Sequence, residues 1–124
     1  MITDALITYL INHSSISSDR IYPIRARQGV DSPLAIVYLD DQIRYKSHDG
    51  TNETIDAKFE IDVYGDAVSS AQTMASEILT VLTDYNGTMG THYIYDIDID
   101  SENNGFETDT ELYSHSIFLT VTYR

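Results

Sequence analysis

The sequence contains no cysteine and no tryptophan, only two prolines, and seven lysines and arginines against twenty aspartates and glutamates in 124 residues. Without cysteine there is no disulfide, no thiolate metal site and no thiol nucleophile, and we expect a chain made in a reducing cytoplasm. No apolar run approaches the roughly 20 residues that a membrane-spanning helix needs. The first fifteen residues carry Asp4 and no basic leader, so we expect no signal peptide and no membrane association.

The shortage of cations gives a formal net charge of −13 at pH 7. A surface of this sign repels phosphate backbones, which disfavours specific nucleic-acid binding. Solubility is the simplest use of such a charge. Calcium binding, imitation of DNA, and a surface that DNA slides past are more specific uses.

Motifs for catalysis are missing as well. The four histidines share no metal-binding spacing, and there is no G-x-S-x-G, P-loop or G-x-G-x-x-G sequence. The glycines of "GTMGTH" follow a predicted helix, whose C-terminal end has the wrong dipole sign for phosphate. We therefore expect neither an enzyme nor a cofactor.

Two segments have the periodicity of helices. Residues 3–12 place Leu6 and Leu10 on one face, with Thr3 or Asp4 as the N-cap. Asp66 is predicted to cap a second helix that ends at Asn86 and Gly87. Its apolar stripe consists of Val68, Ala71, Met74, Ala75, Ile78 and Leu82.

The other segments have the pattern of strands. A short strand after Arg20 precedes a long exposed loop to Pro33, and "LAIVYLD" predicts a buried strand that continues to a hairpin turn at Asp49 and Gly50. Residues 54–64 alternate strictly between apolar and charged side chains. The predicted inward-facing sets are Ile55, Ala57, Phe59, Ile61 and Val63; Tyr93, Tyr95, Ile97 and Ile99; and Tyr113, His115, Ile117, Leu119, Val121 and Tyr123.

The stretch from Asp100 to Glu111 is one substitution away from the calcium-loop pattern D-x-[DN]-x-[DN]-G-x5-E. An EF-hand needs a helix on each side of this loop, whereas the flanking segments here alternate as strands do. We therefore predict a solvated hairpin loop without a metal. His115 is predicted to be a core histidine.

These elements predict a single α+β domain over residues 1–124, built as a two-layer sandwich. A largely antiparallel sheet has two helices packed on one face. The opposite face is acidic and rich in hydroxyl groups, and no further layer remains to cover it. The acidic residues of this face are Asp56, Glu60, Asp62, Asp96, Asp98 and Asp100.

The order of several short motifs resembles the tail-completion proteins of long-tailed phages, the tail-to-head joining or tail-terminator group. After an N-terminal helix come "DRIYP" at 19–23, "SPLAIVY" at 32–38 and "FEIDVYGD" at 59–66, and the strand "SIFLTVTYR" ends the sequence. The acidic segment 96–111 is not part of that pattern.

The resemblance implies a structural virion protein at the head-proximal end of the tail, present in the host cytoplasm before assembly. Such proteins form rings, commonly of six subunits, between the tail tube protein and the head connector protein, and have no active site or cofactor. DNA would pass through the ring, and an acidic sheet face would keep phosphates from sticking. Arg25, Arg27 and Gln28 would form a subunit or partner contact; a mobile surface loop is the other interpretation of that segment.

Two other functions are compatible with the sequence. An acidic DNA-mimic inhibitor would use the rows Asp56/Glu60/Asp62 and Asp96/Asp98/Asp100 in place of phosphates. A small hydrolase or isomerase would need a concave pocket with convergent polar groups, which a sequence does not reveal. Oligomeric state separates the first alternative from a ring-forming protein.

Overall fold

The computed structural model describes residues 1–16, 20–24, 32–46 and 53–124. Two helices, α1 (Ile2–His13) and α2 (Val68–Leu82), accompany six strands. The strands are β1 (Ile21–Pro23), β2 (Leu34–Lys46), β3 (Glu53–Gly65), β4 (Gly87–Met89), β5 (His92–Glu107) and β6 (Leu112–Tyr123). Within the described ranges, no helix is long and apolar enough to cross a membrane.

The strands form one sheet in the order β1-β2-β3-β6-β5-β4. β1 pairs with β2 in parallel, and every other neighbouring pair is antiparallel, so the sheet is mixed. The predicted pairing of β2 with β3 and of β5 with β6 is confirmed. The predicted turn at Asp49 and Gly50 lies outside the described residues.

The sheet is curled into a half-barrel. α1 contacts β1 and β2 at one edge of the sheet and β4 at the other edge. In a flat sheet those edges would lie about 24 Å apart, because strands are spaced about 4.8 Å, whereas a helix is only about 10–12 Å across. One helix reaches both edges because the sheet bends around it.

The predicted two-layer α+β sandwich with both helices packed on one face is therefore wrong. The protein is mostly β, with 56% of its described residues in strands, and its two helices are short. The physical reason lies in long strands with bulges. Register shifts fall between Leu39 and Asp41, between Ile94 and Asp96, and between Ile99 and Ser101. Each bulge increases the local twist and bend of its strand, which favours curling over a flat layer.

The core fills the inner face of the curled sheet. Phe59, Ile61, Ile78, Leu82, Ile97 and Leu119, predicted to share one core, all belong to the buried cluster. Leu6 and Leu10 of α1 are fully buried in the same cluster. The alternation predicted for β3 and β6 is confirmed from Ile55 to Ile61 and from Ile117 to Tyr123, whereas Asp62, predicted to face water, is buried.

In β5 the predicted inward set is partly wrong. Tyr93 and Tyr95 are 41% and 42% exposed, while Ile94 is fully buried, and Ile97 is buried as predicted. The bulge at Tyr95 inserts one residue into the strand. The residues before the bulge therefore face the side opposite to the one that strict alternation predicts.

The predicted helix caps also differ from the structure. α1 begins after Met1, and neither Thr3 nor Asp4 is its N-cap. α2 has Ala67 as its N-cap, and Ser70 Oγ accepts from the Ala67 N–H at 3.3 Å. Asp66 accepts a hydrogen bond from the same Ser70 hydroxyl at 3.4 Å. α2 ends at Leu82, before the predicted Asn86 and Gly87.

Gly65 fixes the turn from β3 into α2. A Cβ at this position would overlap Ser70 Oγ and would lie 2.8 Å from the Ala71 backbone nitrogen. Only glycine lets the first turn of α2 come this close to the end of β3. The strand that carries the acidic row is thereby joined directly to the helix that covers the core behind it.

Candidate functional site

The outer face of the sheet carries the acidic residues that the sequence singled out. On β3, Asp56, Glu60 and Asp62 alternate with the buried core residues. The register places Asp96 beside Thr122 and Asp98 beside Thr120, on that same outer face. The structure thus brings together two acidic rows, on β3 and β5, separated by β6.

Hydroxyl groups of β6 hold two of these carboxylates in place. Thr122 Oγ1 donates to Asp56 Oδ1 at 2.8 Å, and Thr120 Oγ1 donates to Asp100 Oδ2 at 2.7 Å. Asp100 is the residue inserted by the second β5 bulge, and its hydrogen bond directs it onto the outer face. All six predicted acidic residues therefore lie on one surface.

Like charges act on one another along the β5 row. The neighbouring Asp96 carboxylate raises the pKa of Asp98 above its ordinary value, with smaller contributions from burial and from Asp100 and Asp56. Two carboxylates at this spacing destabilise each other's charged forms. The outer face is thus a region of concentrated negative potential.

The β3 row is different because part of it is buried. Asp62 is only 8% exposed, although the alternation predicted that it would face water. Its Oδ1 atom is buried and has no hydrogen-bond partner among the described residues. A hydrogen bond to Asp62, burial, and the charges of Asp62 and Asp40 raise the pKa of Glu60 to about 7. Near neutral pH, Glu60 is therefore protonated part of the time, and its O–H then donates a hydrogen bond to the Asp62 carboxylate.

Two tyrosines enclose this carboxyl pair. Burial, followed by the charge of Asp62, raises the pKa of Tyr64 to about 12 and also raises that of Tyr38. Sequence reasoning missed both tyrosines. The signal was present, because Tyr64 lies on the same strand face as Asp62, and Tyr38 pairs directly with Glu60.

Tyr93, Tyr95 and Arg124 form a second group that sequence reasoning missed. The Arg124 guanidinium lies 5.6 Å from the ring centre of Tyr93 and 5.9 Å from that of Tyr95. The backbone groups of Tyr93 and Arg124 also exchange two hydrogen bonds, at 3.1 and 3.2 Å. This contact places a cation at the end of the sheet where the β5 row begins.

Most of the calcium-like segment belongs to a strand and not to the predicted hairpin loop, although strands do flank the turn as predicted. Asp100, Glu102, Asn104 and Gly105 all lie within β5, and β6 follows after a short turn. His115 Nε2 lies 2.7 Å from Glu102 Oε1, and His115 Nδ1 lies 2.6 Å from Asn104 Oδ1. His115 is thus held between two β5 side chains at the border of the core. In the part of the chain that the structure describes, no group of three or more His, Asp or Glu is arranged to hold a metal ion.

The predicted contact residues Arg25, Arg27 and Gln28 lie outside the described residues.

Two comparisons with known proteins gave matches that extend over nearly the whole chain. A family model described as tail completion protein gp17 matches residues 2–124. A chain in the virion of a native gene transfer agent (GTA) particle has a similar structure, with a TM-score of 0.71 and 11% sequence identity. That match covers 98% of this chain and 96% of the other, and at this identity it shows a shared fold. No curated protein matches the chain in sequence.

Proposed function

We propose a function from one premise: the chain belongs to the tail completion protein gp17 family. Membership in this family supports a structural, non-enzymatic role in a phage-type tail. The observation that carries the proposal is the extent of the match, because residues 2–124 include every helix and strand of the fold. The fold shared with a chain of a gene transfer agent virion supports a location in the virion.

In its finer form, the proposal is that the protein ends the tail tube as a ring of six subunits and joins it to the head. Its partners are then further copies of itself, the tail tube protein and the head connector protein. It is located at the head-proximal end of the tail, and in the host cytoplasm before assembly. It needs no cofactor for this role.

The acidic outer face gives the ring a physical use. Asp56, Asp96, Asp98 and Asp100 present carboxylates on one surface, and facing the bore they would repel the phosphates of passing DNA. DNA then slides through the ring without binding specifically. Glu60 contributes less charge, because its pKa is raised to about 7 and it is therefore only partly ionised near neutral pH.

A subunit contact through Arg25, Arg27 and Gln28 remains part of the proposal and rests on sequence alone. These residues supply two of the seven lysines and arginines in a chain of net charge −13. Against neighbouring carboxylates they would orient the subunits rather than supply most of the affinity.

Imaging of tails tests the proposal. A phage lacking this gene is complemented with a tagged copy, and its particles are imaged after labelling of the tag. We expect label only at the head-proximal end, and unjoined heads and tails without complementation. Label elsewhere on the particle would contradict the proposal. A monomer or dimer that binds a DNA-binding enzyme and is displaced by DNA would instead support the DNA-mimic function.

A further inference from the structure

Among the described residues, two strands of the sheet have long edges that no other strand pairs with. β1 pairs with β2 only at residues 35–37, and β4 pairs with β5 only at residues 92–94. Among the described residues, none pairs with the outer side of residues 38–46, here called the β2 edge. None pairs with the outer side of residues 95–107, here called the β5 edge. Unpaired N–H and C=O groups over such lengths are templates for pairing with another chain.

Apolar side chains are exposed along both edges. Ile43 and Tyr45 of the β2 edge are 39% and 50% exposed, and Tyr95 and Phe106 of the β5 edge are 42% and 51% exposed. Charged residues at a strand edge discourage unspecific pairing, and both edges carry charges between their apolar residues. The exposed apolar groups offer surface that a partner strand would bury.

Charge determines which edge can pair with which. The β5 edge contains five carboxylates, on Asp96, Asp98, Asp100, Glu102 and Glu107, and no lysine or arginine. Two β5 edges placed together would oppose carboxylates to carboxylates, which destabilises a ladder.

The β2 edge has balanced charge and is the better partner. It contains Asp40 and Asp41 but also Arg44 and Lys46, and Arg44 pairs with Glu53 of β3 at 2.7 Å. A β2 edge therefore brings cations to a β5 edge that has none.

Strand direction agrees with this choice. β2, β3, β6 and β5 are each antiparallel to the next, so β2 and β5 run in opposite directions in one subunit. When a second copy is placed beside the first in the same orientation, the β5 edge of one lies antiparallel to the β2 edge of the next. Each copy then uses both edges, and the contact can repeat until a ring closes.

We propose that the β5 edge of one copy adds as an antiparallel strand to the β2 edge of a second copy, and that this contact joins the subunits. The inference rests on the proposed ring and identifies its joint. Backbone hydrogen bonds supply affinity, as in other cases of strand addition. The carboxylates of the β5 edge exclude self-pairing and so impose a head-to-tail order.

The absence of cysteine makes a cross-linking test direct. Ile43 pairs with Asp56 of β3, and Ser101 and Asn103 pair with Phe118 and Ser116 of β6. These partners lie on the outer face of the sheet, so the three residues lie on that face too. Ile43→Cys is mixed with Ser101→Cys or Asn103→Cys and treated with a flexible bis-maleimide that spans neighbouring registers. The same proteins are examined by native mass spectrometry, which reports ring formation independently of cross-linking. Circular dichroism checks that each variant folds.

We expect covalent dimers in the mixtures and their loss when either single variant is treated alone. Lys58→Cys, on the same face but on the interior strand β3, is the control and should give no dimers with Ser101→Cys. A double variant, Ile43→Cys with Ser101→Cys, should give a ladder of covalent oligomers up to the ring.

Three results would overturn the joint. Dimers from Ser101→Cys alone would mean that β5 edges pair with each other. Rings without mixed dimers at either β5 position would mean that the subunits meet elsewhere, which leaves the proposed function intact. Protein that forms no ring alone or on tail tube ends would overturn both the joint and the proposed ring.

Discussion

At the scale of single residues, the outer face of β3 shows what an alternating pattern predicts and what it leaves out. Alternation correctly places Glu60 and Asp62 opposite Phe59 and Ile61. It cannot show that Asp62 is only 8% exposed, because that burial depends on the neighbouring strands on both sides of β3. Side-chain cover from neighbouring strands depends on register and curl, and neither is encoded in the period of one segment.

Glu60 should make stability depend on pH in a definite direction. Its pKa is raised from 4.5 to about 7, so between these values the unfolded chain releases a proton that the folded protein retains. This contribution to stability is present at low pH, falls as the pH rises from 4.5, and is fully lost above about 7. Glu60→Gln should therefore flatten the decline of the urea midpoint over this range relative to the unmodified protein. Asp62→Asn, which removes the largest cause of the shift, should also flatten it. An unchanged slope in Glu60→Gln would contradict the assignment.

Phe59 should be among the most costly residues to truncate. Its ring is 1% exposed and lies in the core cluster. Phe59→Ala removes a buried aromatic side chain and should lower the free energy of unfolding by about 3–5 kcal/mol. Tyr45→Ala, at a half-exposed tyrosine of the neighbouring strand, should cost less than about 1 kcal/mol. Urea denaturation measures both, and a loss below about 1 kcal/mol for Phe59→Ala would mean that the inner face is assigned wrongly.

At the scale of elements, periodicity predicted both helices and the long strands, and it failed at the bulges. The sequence of β5 alternates without interruption from Tyr93 to Asp100, yet the bulge at Tyr95 leaves Tyr93 outside and Ile94 inside. A bulge is set by pairing with β6 and not by the alternating pattern itself. The caps failed for a related reason, because close approach at Gly65 lets Ser70 serve the start of α2 in place of Asp66.

The β5–β6 strand pair should not bind calcium specifically. Glu102 and Asn104 are spaced like calcium ligands, but both contact His115 and lie on an extended strand. An extended strand spreads residues i and i+2 about 7 Å apart along one line, whereas an EF-hand loop gathers its ligands around one point. Titration calorimetry should show no saturable calcium uptake, and Asp100→Ala should give the same trace. Micromolar uptake that disappears in Asp100→Ala would show that the segment rearranges into a binding loop.

At the scale of the whole molecule, the acidic face was predictable and the shape was not. Rows of aspartate at alternate positions identify one face of a strand, and the register confirms that the two rows share a surface. The curl of the sheet brings both sheet edges into contact with α1, and this contact joins segments far apart in sequence. For the same reason the two-layer sandwich was wrong although its elements were largely right.

The net charge of −13 predicts that assembly depends on salt. Subunits repel one another at low ionic strength, and at about 0.15 M salt the Debye length is near 8 Å, which screens repulsion but leaves close contacts. Native mass spectrometry across a salt series should therefore show mostly monomer at low salt and rings as salt rises.

If Arg25 and Arg27 orient the subunits, reversing both to Glu should block ring closure and leave the melting temperature nearly unchanged. Lys58→Glu combined with Ser69→Glu and Ser76→Glu on the exposed side of α2 changes the net charge equally; it is the matched control and should only shift ring formation to higher salt. Rings and normal tails from the Arg25/Arg27 variant would remove that loop from the joint. Equal loss in both variants would mean that total charge, and not a specific contact, controls closure.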